Sequence, residues 1–221
     1  MVTKKLVLLF LTLETKKIYF FEEEARVKKY IKNCFFHFLT KIKSWLRRKR
    51  KTMDAIEAIL SRRSIRKYYK KPVSKEIVRE LLESAMSAPS AGDEQPWHFI
   101  VIDKAEILSE IPSFHNHAQM LKDASLGILV CGDLKLEKHK GMWVQDCAAA
   151  TENILIAVQA KGLGAVWLGV YPREERMKGL RKLLNIPEHV VPFSLISIGY
   201  PAEKKPRADR YNEARIHYNR W

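Results

Sequence analysis

The sequence has few of the features that mark membrane or secreted proteins. No stretch reaches the roughly 18 consecutive apolar residues that a transmembrane helix needs. The apolar stretch at residues 6–13 has no small-residue cleavage site behind it, so we expect no secretory signal and a cytoplasmic location. The three cysteines, Cys34, Cys131 and Cys147, share no tight spacing, which excludes a disulfide framework and favours a reducing compartment. Nine glycines and nine prolines are too few for a collagen-like or low-complexity architecture.

Positive charge is concentrated at the start of the chain. Of the 221 residues, 47% are apolar and 29% charged, which supports a sizeable core and excludes wholesale disorder. The net charge is +15, yet residues 1–52 hold 15 Lys and Arg against 4 Glu, whereas the remainder holds 25 against 21 Asp and Glu. The sequence therefore predicts a basic, partly amphipathic N-terminal extension, residues 1–52, followed by a body of nearly balanced charge, residues 53–221.

Three interpretations of the extension remain open. Apolar residues recur at helical spacing between positions 27 and 46, and a basic run follows at 47–51. Such a helix can make peripheral contact with an anionic membrane, here through residues 25–51, or pack on its own domain or on a partner subunit. Alternatively, translation begins at Met53 and the segment is not part of the working protein. No base-reading motif accompanies the basic run, so we expect no specific nucleic-acid partner.

Helices alternate with strands through the body. Apolar spacing and composition predict helices at residues 54–61, 74–88, 104–110, 116–123, 143–161 and 173–184. Buried strands are predicted at residues 97–102, 126–131, 165–170 and 193–199. This order predicts an α+β fold in which helices surround one mixed central sheet.

The first candidate site is the run Arg-Arg-Ser-Ile-Arg at residues 62–66. In an extended segment Arg62, Ser64 and Arg66 point to one side. Guanidinium groups bind phosphate through paired, charge-assisted hydrogen bonds, and a neighbouring hydroxyl adds a donor. The run therefore suits a phosphorylated ligand, and the alternative is a solvated basic surface.

Two further segments could contact a flat ligand. Residues 89–97 combine small and polar residues before a strand, although an ordinary helix-to-strand connection has the same composition. The glycines at residues 162–169 follow a helix and precede a strand, the reverse of the order in a dinucleotide fingerprint. Gly162 is expected to end the helix, and Leu168-Gly169 could present backbone groups to a ligand.

The remaining chemistry-bearing residues give weaker signals. His115 and His117 have no neighbours that complete a metal site, and we expect both to be solvated loop histidines. Cys131 and Cys147 lie in apolar surroundings and are expected to be buried thiols, not nucleophiles.

Taken in order, these segments resemble the nitroreductase family of flavin-dependent oxidoreductases. The resemblance covers the body and rests on residues 55–59, 62–66, 87–92, 95–99, 162–164, 168–169, 198–201 and 205–207. It implies a nitroreductase-like fold and a homodimer that binds two FMN molecules at the subunit interface. By the same resemblance, Arg62, Ser64 and Arg207 hold the FMN phosphate and ribityl chain, with Arg63 close by, and Arg66 approaches the pyrimidine edge of the flavin.

The resemblance also assigns contacts to the flavin ring. Pro89, Ser90 and Ala91 would come from the other subunit, whereas Leu168 and Gly169 would lie against the flavin. Gln145, on the long helix, is a further implied contact.

Asp93 departs from a common pattern, because many relatives have asparagine there. Either its carboxylate turns outward, or its negative charge lowers the flavin potential.

The implied reaction is FMN-dependent electron transfer from NAD(P)H to a small organic acceptor of the nitroaromatic or quinone type. Hydride transfer would follow a ping-pong course in one shared cleft, with no catalytic triad and no metal. Flavin supplies the chemistry, and the protein supplies binding, orientation and electrostatics. The alternative of a different class is a non-catalytic flavin- or nucleotide-binding module, tethered by its basic extension to a membrane or a nucleic acid.

Overall fold

The computed structural model describes residues 53–221, so the expectations for the basic extension lie outside the described residues. The α-helices are α1 (Ala55–Ser61), α2 (Lys75–Met86), α3 (Ala105–Glu110), α4 (Trp143–Ala160) and α5 (Glu174–Leu184). The strands are β1 (Tyr68–Tyr69), β2 (Trp97–Ile102), β3 (Leu126–Asp133), β4 (Gly164–Gly169) and β5 (Val190–Pro201). Short 3-10 helices occupy Ala91–Asp93, Ile111–Ser113, Asn116–Lys122 and Glu213–Arg215.

Strand β5 organises the sheet. It pairs antiparallel with β1, β3 and β4, and β3 pairs antiparallel with β2. One parallel bridge, between Ser64 and Ala165, adds the segment after α1 to the sheet. The sheet is therefore mixed and carries helices around it, which confirms the predicted α+β fold.

Each face of the sheet carries its own hydrophobic core. On β3, Ile128 and Val130 pack in one cluster with α2 and α4, whereas Leu129 and Cys131 pack in the other with α3 and α5. This alternation follows the two-residue period of a strand, and it explains why β3 is apolar along most of its length. Helix α4 is buried along most of its length for the same reason, since it lies against the sheet and contacts α2 and α1.

The predicted elements match the observed ones closely. Strand β2 has the predicted bounds, and the strand predicted at 193–199 extends in both directions to Val190 and Pro201. Gly162 adopts a φ of +70° just after α4, as expected for a glycine that ends a helix. Cys131 and Cys147 are fully buried, as predicted. Within residues 53–221, the helices are too short or too polar to span a bilayer.

The close approach of α4 to β3 depends on Gly132. A Cβ atom at this position would lie 2.4 Å from the indole ring of Trp143, the first residue of α4. Trp143 in turn packs edge-on against Phe193 of β5, with ring centroids 6.0 Å apart. Gly132 therefore sets the distance between the sheet and the beginning of α4.

We expect Gly132→Ala to lower the free energy of unfolding by about 1–3 kcal/mol, because the ring of Trp143 must move to admit the methyl group. Gly169→Ala is the matched control, since no atom of the described residues lies within 4 Å of its added Cβ. Its unfolding free energy should stay within about 0.5 kcal/mol of the original. Urea denaturation of both variants makes the comparison, and equal stabilities would contradict this account of the packing.

Candidate functional site

The arginine-rich segment leaves α1 in an extended conformation. Asp54 caps the helix by accepting hydrogen bonds from the N–H groups of Ile56 and Glu57. The helix ends at Ser61, and Arg62 follows with φ −59° and ψ 130°. Ile65 N–H then donates to the Ala165 carbonyl at 2.9 Å, so the segment lies along the edge of β4.

Residues 63–69 run antiparallel to the end of β5 and the chain that follows it. The facing pairs are Tyr69 with Tyr200, Tyr68 with Pro201, Lys67 with Ala202, Arg66 with Glu203, Ser64 with Lys205 and Arg63 with Pro206. The first three pairs are joined by their backbones, whereas the last three are joined through the side chains of Glu203, Lys205 and Arg63. Arg207 follows Pro206, and its guanidinium lies 3.5 Å from Glu57 on α1, the helix that ends just before Arg62.

Carboxylates hold the guanidinium groups of this cluster in place. Arg62 Nε lies 3.3 Å from Glu152 Oε1 on α4, and an Arg207 guanidinium nitrogen lies 3.5 Å from Glu57 Oε2 on α1. The N–H of Arg66 donates to Glu203 Oε1 at 2.6 Å and, together with nearby Lys205, lowers the pKa of that carboxyl. The segment thus gathers several cations whose side chains are oriented before any ligand arrives.

Tyr68 fastens this segment to the sheet. Its hydroxyl donates to the carbonyl of Ile65 at 2.6 Å and lies 3.2 Å from the carbonyl of Ser197 on β5. Burial raises the pKa of the Tyr68 phenol to about 12, and the neighbouring Arg66 only partly offsets that rise. The ring also lies against Gly199, where an added Cβ would come within 2.9 Å of it.

The last residue of β4 presents an open backbone. The carbonyl of Ala165 accepts the N–H of Ile65 and therefore points away from β5. The N–H of Val170 donates to Phe193 and therefore points towards β5. Because backbone groups alternate along a strand, the N–H and C=O of Gly169 point away from β5. A guanidinium nitrogen of Arg176 donates to the Gly169 carbonyl at 2.6 Å, and the N–H of Gly169 faces the open edge of β4. Gly169 itself is exposed, and the space beside its Cα is free of other described atoms.

His115 is buried, contrary to the prediction from the sequence. It is only 1% exposed and lies beside the backbone of Gly169, so the prediction that it is a solvated loop histidine was wrong. Burial lowers the pKa of its imidazole, and the charge of Arg176 lowers it further, which keeps the ring neutral. His117, two residues later, is exposed as predicted. Residues 53–221 contain no cluster of three or more His, Cys, Asp and Glu arranged to hold a metal ion.

The loop before β2 is tightly folded. Gly92, Asp93 and Gln95 have φ values of +52°, +54° and +45°, the left-handed region that non-glycine residues seldom adopt. Ser90 Oγ accepts the N–H of Gln95 at 3.0 Å, and Asp93 Oδ1 accepts the side-chain amide of Gln95 at 2.7 Å. These contacts hold the Asp93 carboxylate within its own loop.

Two buried carboxyl groups fix this loop to its surroundings. Asp146, in the first turn of α4, accepts the N–H of Ala91 at 3.0 Å. Glu94 accepts the N–H groups of Lys138 and His139 at 2.7 and 3.0 Å, in the turn before α4. The loop is therefore joined to both the turn and the helix.

The loop and the arginine cluster of one chain contact different faces of α4. Asp146 holds the loop and Glu152 holds Arg62, six residues later. Six residues separate these contacts by about 9 Å along the axis and by roughly 120° around it. Gln145, also in the first turn of α4, is exposed. Within a single chain, the arginine cluster and the loop before β2 therefore do not line the same side of one ligand site.

Arg62, Arg63, Ser64, Arg66 and Arg207 gather at one end of β4, and Leu168 and Gly169 lie at the other. Pro89, Ser90, Ala91 and Asp93 gather in the separate loop, close to Gln145. The sequence analysis missed Asp146, Arg176 and the buried state of His115. Their contacts join residues that are distant in sequence or lie in short irregular segments, where no periodic signal exists.

Comparisons with known proteins agree on one family. The model of the Nitroreductase family matches residues 59–130 and 112–200. A Methanothermobacter thermautotrophicus protein, provisionally named NADH dehydrogenase/NAD(P)H nitroreductase, is 53% identical over 169 residues, which cover 76% of this chain and 88% of that protein.

Solved structures show the same similarity. A crystal structure of a protein from Parabacteroides distasonis, with the same provisional name, has a TM-score of 0.73 at 40% identity and covers 76% of this chain and 98% of its own. The FMN-dependent nitroreductase of Clostridium difficile R20291 has a TM-score of 0.68 at 30% identity, with coverage of 75% and 99%.

We expect Tyr68→Phe to lower the free energy of unfolding by about 1–2 kcal/mol at neutral pH, because the carbonyl of Ile65 loses its hydrogen-bond donor. The phenol has a pKa of about 12 in the folded chain, above its ordinary value of about 10 in an unfolded one. Its contribution is therefore complete below pH 10 and is lost as the pH rises towards 12. The difference in stability between the original chain and the Tyr68→Phe variant should narrow over that interval, as measured by urea unfolding. Tyr69→Phe is the matched control, since Tyr69 is 63% exposed, and a similar loss there would refute the assignment.

Proposed function

The chain belongs to the nitroreductase family, and we propose that it is an FMN-dependent oxidoreductase that passes electrons from NAD(P)H to a small organic acceptor of the nitroaromatic or quinone type. Family membership and relatives named as NAD(P)H nitroreductases and FMN-dependent enzymes support the cofactor and the electron donor. The acceptor class and a ping-pong course are part of the proposal.

One observation carries the proposal: β4 joins a cation cluster to an open backbone amide. Ser64 pairs with Ala165 near the beginning of β4, and Gly169 ends the same strand. Four residues of strand separate these positions by about 13 Å. An elongated ligand with a phosphate at one end and a flat ring at the other could contact both, and FMN has this form.

The cation cluster suits the phosphate and ribityl end. Arg62 and Arg207 provide two guanidinium groups, and Ser64 adds a hydroxyl. Arg63 contributes by a different route, since its guanidinium donates to the Pro206 carbonyl and so holds the chain that carries Arg207. Glu152 and Glu57 orient the first two arginines, which lowers the conformational entropy that they lose when a phosphate binds.

The other end of β4 suits the flavin ring. Leu168 is buried and Gly169 exposed, so a flat ring could lie over the strand end without a side chain in its way. The outward N–H of Gly169 could donate to a ring acceptor. Arg66 is exposed at the edge of the sheet, and its positive charge would favour an anionic reduced ring.

The loop of residues 89–93 would complete the site from a second copy of the chain. Its anchor on α4 lies roughly 120° around the helix from the anchor of Arg62, so one chain does not bring both to one ligand. Helix α1 also exposes a stripe of apolar side chains, with Ile56, Ile59 and Leu60 between 45% and 62% exposed. Such a stripe is typical of a surface that a partner covers. A homodimer with Pro89, Ser90, Ala91, Asp93 and Gln145 near the partner's flavin accounts for both features.

Bound FMN would supply the redox chemistry by taking a hydride from NAD(P)H and giving it to the acceptor. The residues of the chain would bind and orient the cofactor. Arg62, Ser64 and Arg207 would hold its phosphate, and Gly169 would leave room for its ring at the end of β4. Arg176 fixes that strand end by donating to the Gly169 carbonyl, and neutral His115 lies beside it. A shared open cleft would serve the donor and the acceptor in turn, which is the structural requirement of a ping-pong course.

An absorbance spectrum of the purified full chain tests the function. We expect flavin bands that bleach when NADH or NADPH is added without oxygen, and that return when a nitroaromatic or a quinone is added. Light scattering on the same sample should give the mass of two chains. Bands that never bleach would support a flavin-binding module instead, and failure to bind added FMN would refute the phosphate assignment.

We expect Arg207→Met to raise the Kd for FMN about tenfold or more, because one charge-assisted hydrogen bond to the phosphate is lost. The affinity for riboflavin, which lacks the phosphate, should change little. Fluorescence titration measures both constants. Arg79→Met is the matched control, since Arg79 is an exposed arginine on α2 that pairs with Glu83. An equal loss of FMN affinity in both variants would contradict a specific role for Arg207.

A further inference from the structure

Glu94 and Asp146 form a buried pair of acids that the proposed reaction does not use. They are 6% and 5% exposed, in a fold where most carboxyl groups lie at the surface. Glu94 belongs to the loop before β2, and Asp146 to the first turn of α4. Burial of two carboxylates side by side is costly unless their charge is reduced or compensated.

The backbone hydrogen bonds to the pair engage only one oxygen of each carboxyl group. Oε2 of Glu94 accepts two backbone N–H groups, and Oδ1 of Asp146 accepts one. The other oxygens, Glu94 Oε1 and Asp146 Oδ2, are buried and receive no donor from the described residues. The two side chains are close enough for each to shift the pKa of the other. Ionised carboxylates only accept hydrogen bonds, so a hydrogen bond between the two groups would require a proton on one of them.

We propose that Glu94 and Asp146 share one proton at a pH where exposed carboxyl groups are ionised, and that this acid–carboxylate pair positions the loop of residues 89–95 for FMN. A single proton between Oε1 and Oδ2 satisfies both buried oxygens at once. The role in FMN binding rests on the proposed function, whereas the shared proton does not.

The surroundings place the proton on Asp146. Burial raises the pKa of Glu94, but the N–H groups of Lys138 and His139 outweigh it, so that pKa lies below its usual range. Burial raises the pKa of Asp146, the N–H of Ala91 only partly opposes this, and Glu94 raises it further. Three other titratable groups face the pair: Glu137 raises the pKa of Asp146, His139 lowers that of Glu94, and the neighbouring thiol of Cys147 stays protonated.

The pair joins three parts of the chain. Asp146 holds the loop through Ala91, and Glu94 holds the turn before α4 through Lys138 and His139. The imidazole of His139 also lies against Gly92, where an added Cβ would come within 2.4 Å of it. Loss of the shared proton would leave two adjacent negative charges, whose repulsion separates the loop from α4.

The direction of the pH effect follows from Asp146. Its pKa is raised in the folded chain, so its contribution is present at low pH and is lost as the pH rises through the folded value. The pKa of Glu94 is lowered, so its contribution is lost only as the pH falls through that lower value. The loop should therefore be held most firmly between the two.

Infrared spectroscopy of the FMN-free full chain tests the shared proton directly. Exposed Asp and Glu ionise around their ordinary pKa values of about 3.9 and 4.3. In the original chain we expect the carbonyl band of one protonated carboxyl group to persist to a higher pH than the bands of these exposed groups. That persistent band should be absent in Asp146→Asn and present in Asp133→Asn. Asp133 is the matched control, because it is also buried but faces His98 and His189. Absence of the band from the original chain overturns the proposal, even if FMN binds.

Amide hydrogen exchange of residues 88–96 tests the positioning role. In Asp146→Asn the side-chain amide nitrogen can donate to Glu94, while the amide oxygen accepts the N–H of Ala91. The loop should therefore stay joined to α4 at every pH, because the asparagine does not titrate. We expect exchange in the original chain, relative to this variant, to speed up at least fivefold between a pH well below the midpoint of the persistent carbonyl band and a pH well above it. No such change is expected in residues 76–85. An unchanged ratio overturns the positioning role.

The Kd of the original chain for FMN, divided by the Kd of Asp146→Asn at the same pH, should rise over the same pH interval. Ionisation of the FMN phosphate affects both constants equally and therefore leaves this ratio unchanged. Asp146→Ala should bind FMN at least fivefold more weakly at both pH values. If Asp146→Asn does not fold, Glu94→Gln provides the same pairing with the donor reversed. A chain that shows the band and the exchange effect but binds no FMN would refute the proposed function and leave the shared proton standing.

Discussion

The pairing of residues 63–69 with the chain that follows β5 is the constraint on which the candidate site depends. Backbone pairing of residues 67–69 is followed by side-chain contacts as far as Arg63 and Pro206, and Arg207 then lies near Glu57 on α1. The hydroxyl of Tyr68 donates to the Ile65 carbonyl and lies near the Ser197 carbonyl of β5, and the bridge from Ser64 to Ala165 fixes the segment to β4. Since a shift of one residue would turn every side chain to the opposite face, the register also decides which arginines face outwards.

Acidic side chains position the groups of this site. Glu152 and Glu57 orient arginines, and Glu203 accepts the backbone of the arginine segment. Asp146 and Glu94 instead hold the loop before β2. A basic surface without such partners would repel itself and remain mobile, so the acids convert a charge cluster into an ordered binding surface.

Local patterns in the sequence were sufficient for most of the fold and for part of the site. Strand β2 was predicted with its observed bounds because Pro96 and Asp103 interrupt an apolar run on either side. Strand β1 was missed because two residues carry no periodicity, and its position depends on β5, about 130 residues later. His115 was misplaced because the short segments around it follow no amphipathic pattern, so only the packing beside Gly169 reveals its burial. The contact between Ala91 and Asp146 had no local signal for the same reason.

The different faces of α4 have a consequence for how firmly the cofactor is retained. If one chain supplies the arginine cluster and another supplies the loop, each FMN is bound only by the assembled pair of subunits. Mass action then links the two equilibria, so dilution that separates the subunits also releases the cofactor, and added FMN drives the subunits together. The effective affinity for FMN becomes a property of the protein concentration as well as of the residues that touch it.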